Sequence, residues 1–117
     1  MDNPSGLFDL TGRVACVTGA SSGLGRRAAS VLAAAGAEVV GVARRAEALA
    51  DWQAETGGRA AVVACDLADR AAREGLAERL SAPFGAPDIL GTAAGGNTRQ
   101  PADEVTEEGW DLTLELN

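Results

Sequence analysis

The chain has 117 residues, room for one small domain, and its 46% hydrophobic content is enough for a packed core and is not a disordered composition. Seventeen acidic residues against ten basic ones give a formal charge of -7, which repels a phosphate backbone and argues against a nucleic-acid partner. There is no His, Tyr or Lys, so every basic side chain is Arg and the commonest general acid-base groups are missing.

With only 3% aromatic residues, the core must come from Ala, Val and Leu. The opening "MDNPSGLFDLTG" carries an acid and no long apolar run, the pattern of neither a signal peptide nor a membrane span. "RVACVTG" (13–19) is a short apolar run ended by glycine and predicts a buried strand. "LGRRAASVLAAAG" (24–36) predicts a helix whose apolar face is Leu24, Ala28, Val31, Leu32 and Ala35, stopped by Gly36. Its alanines allow it to lie close to a sheet.

"AEVVGVARR" (37–45) predicts a second strand, and "AEALADWQAETGG" a second helix stopped at Gly57 and Gly58. "RAAVVACDL" follows as a third strand, then "ADRAAREGLAERLSAPFG" as one helix broken by Pro83. "PDILGTAAGG" (87–96) is a fourth strand and "NTRQPADEV" a loop. "TEEGWDLTLELN" is a fourth helix with Thr106 as N-cap and acids in its first turn.

Cys16 and Cys65 both lie in apolar runs, which suits reduced thiols filling the core of a cytoplasmic protein. Trp52 and Trp110 read as packed or partly exposed helix positions. Asp103, Glu104, Glu107 and Glu108 read as a solvated helix start, since no His accompanies them; no metal site is expected.

Helical connections of this length cannot be hairpin loops, so the strands are expected to be parallel with right-handed crossovers. The predicted fold class is α/β, an incomplete doubly wound parallel sheet (Rossmann-like) of about four strands in order 3-2-1-4. It occupies residues 1–117 as a single domain.

"TGASSGLG" (18–25) sits where the first strand hands over to the first helix. There the helix N–H groups point outward, its dipole favours an anion, and glycines let a pyrophosphate approach the backbone. Thr18, Gly19, Ser21, Ser22, Gly23, Leu24 and Gly25 are therefore candidate dinucleotide-binding residues, the alternative being a plain glycine-rich turn. At the end of the second strand an acid would bind the ribose 2'-hydroxyl of NAD, whereas Arg would accommodate the 2'-phosphate of NADP. The sequence has Ala43 followed by Arg44 and Arg45, favouring NADP(H) over NAD(H) unless these arginines merely start a solvated helix.

"TGASSGLG" preceded by "LTGRVACV", then "CDL", "DILGTAAG" and "WDLTLELN" in register, resemble the short-chain dehydrogenase/reductase family along the whole chain. The resemblance implies the NAD(P)-binding half of an oxidoreductase that moves hydride between NADP(H) and a ketone or secondary alcohol. It also implies that Asp66 contacts the adenine amino group and that the Leu67 backbone N–H contacts the ring. Asp66 has a second reading, as N-cap of the helix expected near Ala68. The backbone of Ala93, Ala94 and Gly95 would line the cofactor ribose. Asn117 matches the catalytic Asn that holds a water of the proton relay, or is simply a terminal helix residue. The opening "LFDLTGRVA" is similar to members acting on sugar acids and polyols.

Two departures stand out. Thr92 replaces the Asn that ties the strand ends together in the family, and its single hydroxyl is expected to supply part of that tie. The family's Tyr-x-x-x-Lys is absent, so the chain is expected to be truncated before that region and inactive alone. Loss of a general acid-base group costs about 10²–10⁴ in rate. The alternative is a non-catalytic dinucleotide-binding or protein-pairing module, with a homo-oligomer forming through an exposed sheet edge or through helices. A methyltransferase reading is disfavoured by Ala43 and the two arginines.

Overall fold

The computed structural model describes residues 4–95 and 100–117. Four parallel strands form one sheet: β1 (Val14–Thr18), β2 (Glu38–Ala43), β3 (Ala60–Ala64) and β4 (Ile89–Thr92), in the order β3-β2-β1-β4. The register sets Cys16 beside Val40 on one side and Leu90 on the other, while Val42 lies beside Val63. Connections run through α1 (Gly23–Ala34), α2 (Ala46–Glu55), then two short helices, α3 (Arg70–Arg73) and α4 (Leu76–Ser81). α5 (Glu107–Leu116) follows β4, and 3-10 turns occur at Pro4–Phe8 and Ala102–Glu104, neither foreseen from the sequence. The expected loop at 97–105 lies partly outside the described residues.

Strand alternation sorts the apolar residues onto two faces. Ala15, Val17, Val39 and Ala60 pack with Ala29 of α1 and with Leu49 and Trp52 of α2. On the opposite face Cys16, Val40, Val42, Val63 and Cys65 pack beneath Ala72, Leu76, Leu80 and Phe84. Both cysteines are free and buried, and burial pushes the Cys16 thiol up from its ordinary value.

The face expected for α1 requires correction. Its buried residues are Gly25 and Ala29, with Leu32 and Ala33 partly buried, whereas Leu24 is 87% exposed and Val31 is 50% exposed. Ala28 is also exposed. The reason is steric: α1 approaches β1 and β4 so closely that its smallest residues must face inward. A methyl carbon placed on Gly25 would stand 2.1 Å from the Gly19 carbonyl oxygen and 3.1 Å from Ala93 Cβ.

The helix expected over 68–85 is also two helices, and the break falls before Pro83. Gly75, with φ of 70°, turns the chain between α3 and α4. The capping role considered for Asp66 belongs to Asp69, whose carboxylate accepts the Ala71 N–H at 3.0 Å. At α5, Thr106 is the N-cap as expected: its hydroxyl accepts the Gly109 N–H at 3.0 Å, with Glu107 and Glu108 in the first turn.

Candidate functional site

The carboxyl ends of parallel strands leave a crevice where adjacent crossovers leave on opposite faces of the sheet. In this sheet the crevice lies at the end of β1, between the crossover to β2 and the chain leaving β4. A cleft of about 380 Å³ occupies that place. Gly19, Ser21, Ser22, Leu24 and Gly25 form one wall, and Arg44 and Arg45 stand at the end of β2. Leu67 lines it after β3, and Ala93, Ala94 and Gly95 line it after β4.

Thr18, Gly23 and Asp66 were candidates for direct binding, yet none lines the cleft. Thr18 instead serves as the tie between strand ends. Its hydroxyl oxygen accepts the N–H groups of Ala93 and Ala94, each at 3.2 Å. The tie expected from Thr92 therefore comes from the neighbouring strand. The reason is register: Thr18 pairs with Thr92, which puts its hydroxyl beside the two residues that follow. Asp66 closes its own turn, its carboxylate accepting the Ala68 N–H at 3.0 Å, between the cleft residues Cys65 and Leu67. Gly23 opens α1 with φ of 59° and has nothing within 4 Å of the position of a side chain.

The start of α1 has the properties of an anion cradle. Ser22 is the N-cap residue, but its side chain makes no capping hydrogen bond, and the first turn holds no acid. α2 and α4 also lack a side-chain cap but carry Glu47 and Glu78 in their first turns, whereas the starts of α3 and α5 are closed by Asp69 and Thr106. The partial positive charge at the start of α1 is thus left open beside the cleft, and the uncapped amides keep their donors.

Arg26 in the first turn does not face the cleft. It forms an ion pair with Glu55 at 2.5 Å and donates to the Ser21 carbonyl oxygen at 3.3 Å. On α5, Glu115 pairs with Arg70 at 2.7 Å and with Arg73, which holds its carboxyl below the ordinary carboxylate range. The next residue, Leu116, lines the cleft. Asn117 donates from Nδ2 to the Thr113 carbonyl at 2.9 Å, and its Oδ1 lies 2.6 Å from where a methyl carbon on Gly95 would stand. Val42, Ala43, Cys65 and Leu116 also line the cleft. Their sequence contexts read only as core strand or helix, so no local signal marked them. The exception is Ala43, noted as the missing acid.

A model of the short chain dehydrogenase family matches residues 13–117. The chain belongs to that family. The chain is 41% identical to D-threitol dehydrogenase of Mycolicibacterium smegmatis over 113 residues, which cover 94% of the chain and 44% of that protein. Its fold is similar to a 3-oxoacyl (acyl-carrier-protein) reductase from Agrobacterium tumefaciens C58 with NADP bound. There the TM-score is 0.87 and the identity 30%, covering 97% of this chain and 45% of the other. It is also similar to L-sorbose reductase from Gluconobacter frateurii in complex with NADPH and L-sorbose. That match has a TM-score of 0.81 and 34% identity, covering 93% and 43% of the two chains. The chain therefore spans less than half the length of these relatives. No helix among its described residues is long and apolar enough to cross a membrane.

Proposed function

We propose that residues 1–117 are the NADP(H)-binding portion of a short-chain oxidoreductase that moves hydride between the cofactor and a ketone or secondary alcohol. One observation carries the reading: the uncapped start of α1 and the arginines at the end of β2 line one cleft. The residues fit the group. Ser21, Ser22 and Gly25 would hold the diphosphate through their backbone, Arg44 and Arg45 the 2'-phosphate, and Leu67 the adenine end, its turn closed by Asp66. Ala93, Ala94 and Gly95 would line the ribose, with Thr18 fixing their amides in place. The bound nicotinamide would supply the hydride donor or acceptor. The named ligands of the Agrobacterium and Gluconobacter reductases support NADP(H).

Asn117, beside Gly95, is the chain's candidate for ordering a relay water. With no Tyr or Lys in the sequence, the segment binds cofactor without turning it over. The buried free thiols suit a reducing, cytoplasmic setting.

Isothermal titration with NADPH and NADH tests the reading. NADPH is expected to bind at least about tenfold more tightly, and Arg44→Asp to reverse that order. A folded protein giving no heat and no thermal shift with either ligand overturns it. The alternative, a module that pairs with a second protein or copy, is favoured by Leu90 on β4 being 67% exposed. Gel filtration with and without NADPH separates the two, since a discrete cofactor-responsive oligomer supports the module.

A further inference from the structure

A positive side chain in the first turn of a helix opposes the helix dipole, so Arg26 needs another reason to be at the start of α1. Its partners supply one. Nη2 is paired with the Glu55 carboxylate at the last residue of α2 at 2.5 Å, while Nη1 donates to the Ser21 carbonyl oxygen at 3.3 Å. The Arg26 side chain is only 28% exposed, and Arg26 does not line the cleft, whereas Ser21 and Ser22 both do. The guanidinium charge is thus taken up by Glu55, and what remains is a rigid two-pronged donor.

We propose that Arg26, braced by Glu55, is a positioning residue of the cofactor site: by holding the Ser21 carbonyl oxygen it aims the following Ser22 N–H at the bound diphosphate. The argument rests on peptide geometry. In a trans peptide the C=O and the following N–H point to opposite sides. Drawing the Ser21 oxygen toward Arg26, outside the cleft, turns the Ser22 N–H to the other side of the plane. Ser22 is in extended conformation, with φ of -159° and ψ of 164°, and its side chain does not cap the helix. Without Arg26 this peptide plane can rotate, and a carbonyl oxygen facing the diphosphate would repel it. The same bridge joins the loop after β1 to the far end of α2, so the cradle is tied to an element whose Leu49 and Trp52 are wholly buried.

The inference rests on the proposed NADP(H) reading, and the experiment separates the two. NADPH and adenosine 2'-monophosphate are titrated into the wild-type chain and into Arg26→Gln, Arg26→Lys and Glu55→Gln. The small ligand reaches the arginines after β2 but has no diphosphate to meet the loop. The Gln variant is expected to lose about tenfold in NADPH affinity and to keep its affinity for the 2'-monophosphate within about twofold. The Lys and Glu55 variants are expected to fall between wild type and Gln, because each retains one of the two contacts. Wild-type NADPH affinity in the Gln variant, or in the Lys variant should Gln not fold, overturns the proposal. Equal losses for both ligands in folded variants overturn it as well. Absence of NADPH binding by the wild type instead overturns the underlying reading.

Discussion

The two tryptophans mark two differently built regions of one small molecule. Trp52 on α2 is completely buried against the sheet, its indole N–H donating to Ser30 Oγ at 3.1 Å. The strand beneath makes room for it: a methyl carbon on Gly41 would stand 2.7 Å from Trp52 Cζ3. Trp110 on α5 is 61% exposed, and nearby apolar positions Leu112 and Leu114 are 53% and 63% exposed. α2 has the sheet beneath it, whereas α5 is held by ion pairs of Glu115 and by the approach of Asn117 to Gly95. Similar helical sequences therefore contribute unequally. The neighbours a side chain meets decide its worth, and its own hydrophobicity does not.

Trp52→Ala and Trp110→Ala break this comparison if their effects are alike. Loss of Trp52 is expected to cost about 3–5 kcal/mol in urea unfolding, and loss of Trp110 less than about 0.5 kcal/mol. Gly25→Ala comes next. It drives a carbon into the Gly19 carbonyl where α1 meets the sheet, with an expected cost of roughly 1–3 kcal/mol and a loss of NADPH affinity by titration. An unchanged denaturation midpoint would show that α1 can lift from the strand without penalty.

Thr18→Val probes the seam between the well-packed and exposed regions. The amides of Ala93 and Ala94 lose their acceptor, for about 1 kcal/mol, and their hydrogen exchange should quicken while that of β2 does not. The smallest effect is expected at Glu115. Arg70 and Arg73 lower its folded-state pKa, so its contribution is present above the ordinary carboxylate value and is lost as pH falls through the lowered one. Exchange of the α5 amides should therefore rise in acid and in high salt, and Glu115→Gln should reproduce this at neutral pH. Acid- and salt-independent exchange would mean that the ion pairs do not dock the helix.

Much of this was legible in the residues alone. The apolar runs around Cys16, Val40 and Val63 read as strands because buried parallel strands carry continuous apolar stretches. The glycine loop read as a candidate dinucleotide turn because it follows the first strand and opens a helix, and five of its residues line the cleft. Thr106 was legible as a cap since capping needs only residues in immediate sequence. Less visible was the orientation of α1, where an amphipathic pattern pointed to Leu24 and Val31 while the sheet took Gly25 and Ala29. Nor could the sequence reveal that Thr18 ties the ends of β1 and β4, because its partners lie 75 and 76 positions away. The single helix expected after β3 hid the left-handed turn at Gly75, a residue that helices tolerate at modest cost.

By itself the amino-acid order determined the alternation of strands and main helices, the parallel sheet and the place of the glycine turn between β1 and α1, since periodicity, glycine and caps act over a few residues. Tertiary structure decided which face of α1 is inside, which hydroxyl joins the strands, and that Arg26 turns away from the cleft toward Glu55. Those choices depend on distances between segments far apart in the chain, where close packing and pairing of charges select among locally equivalent options.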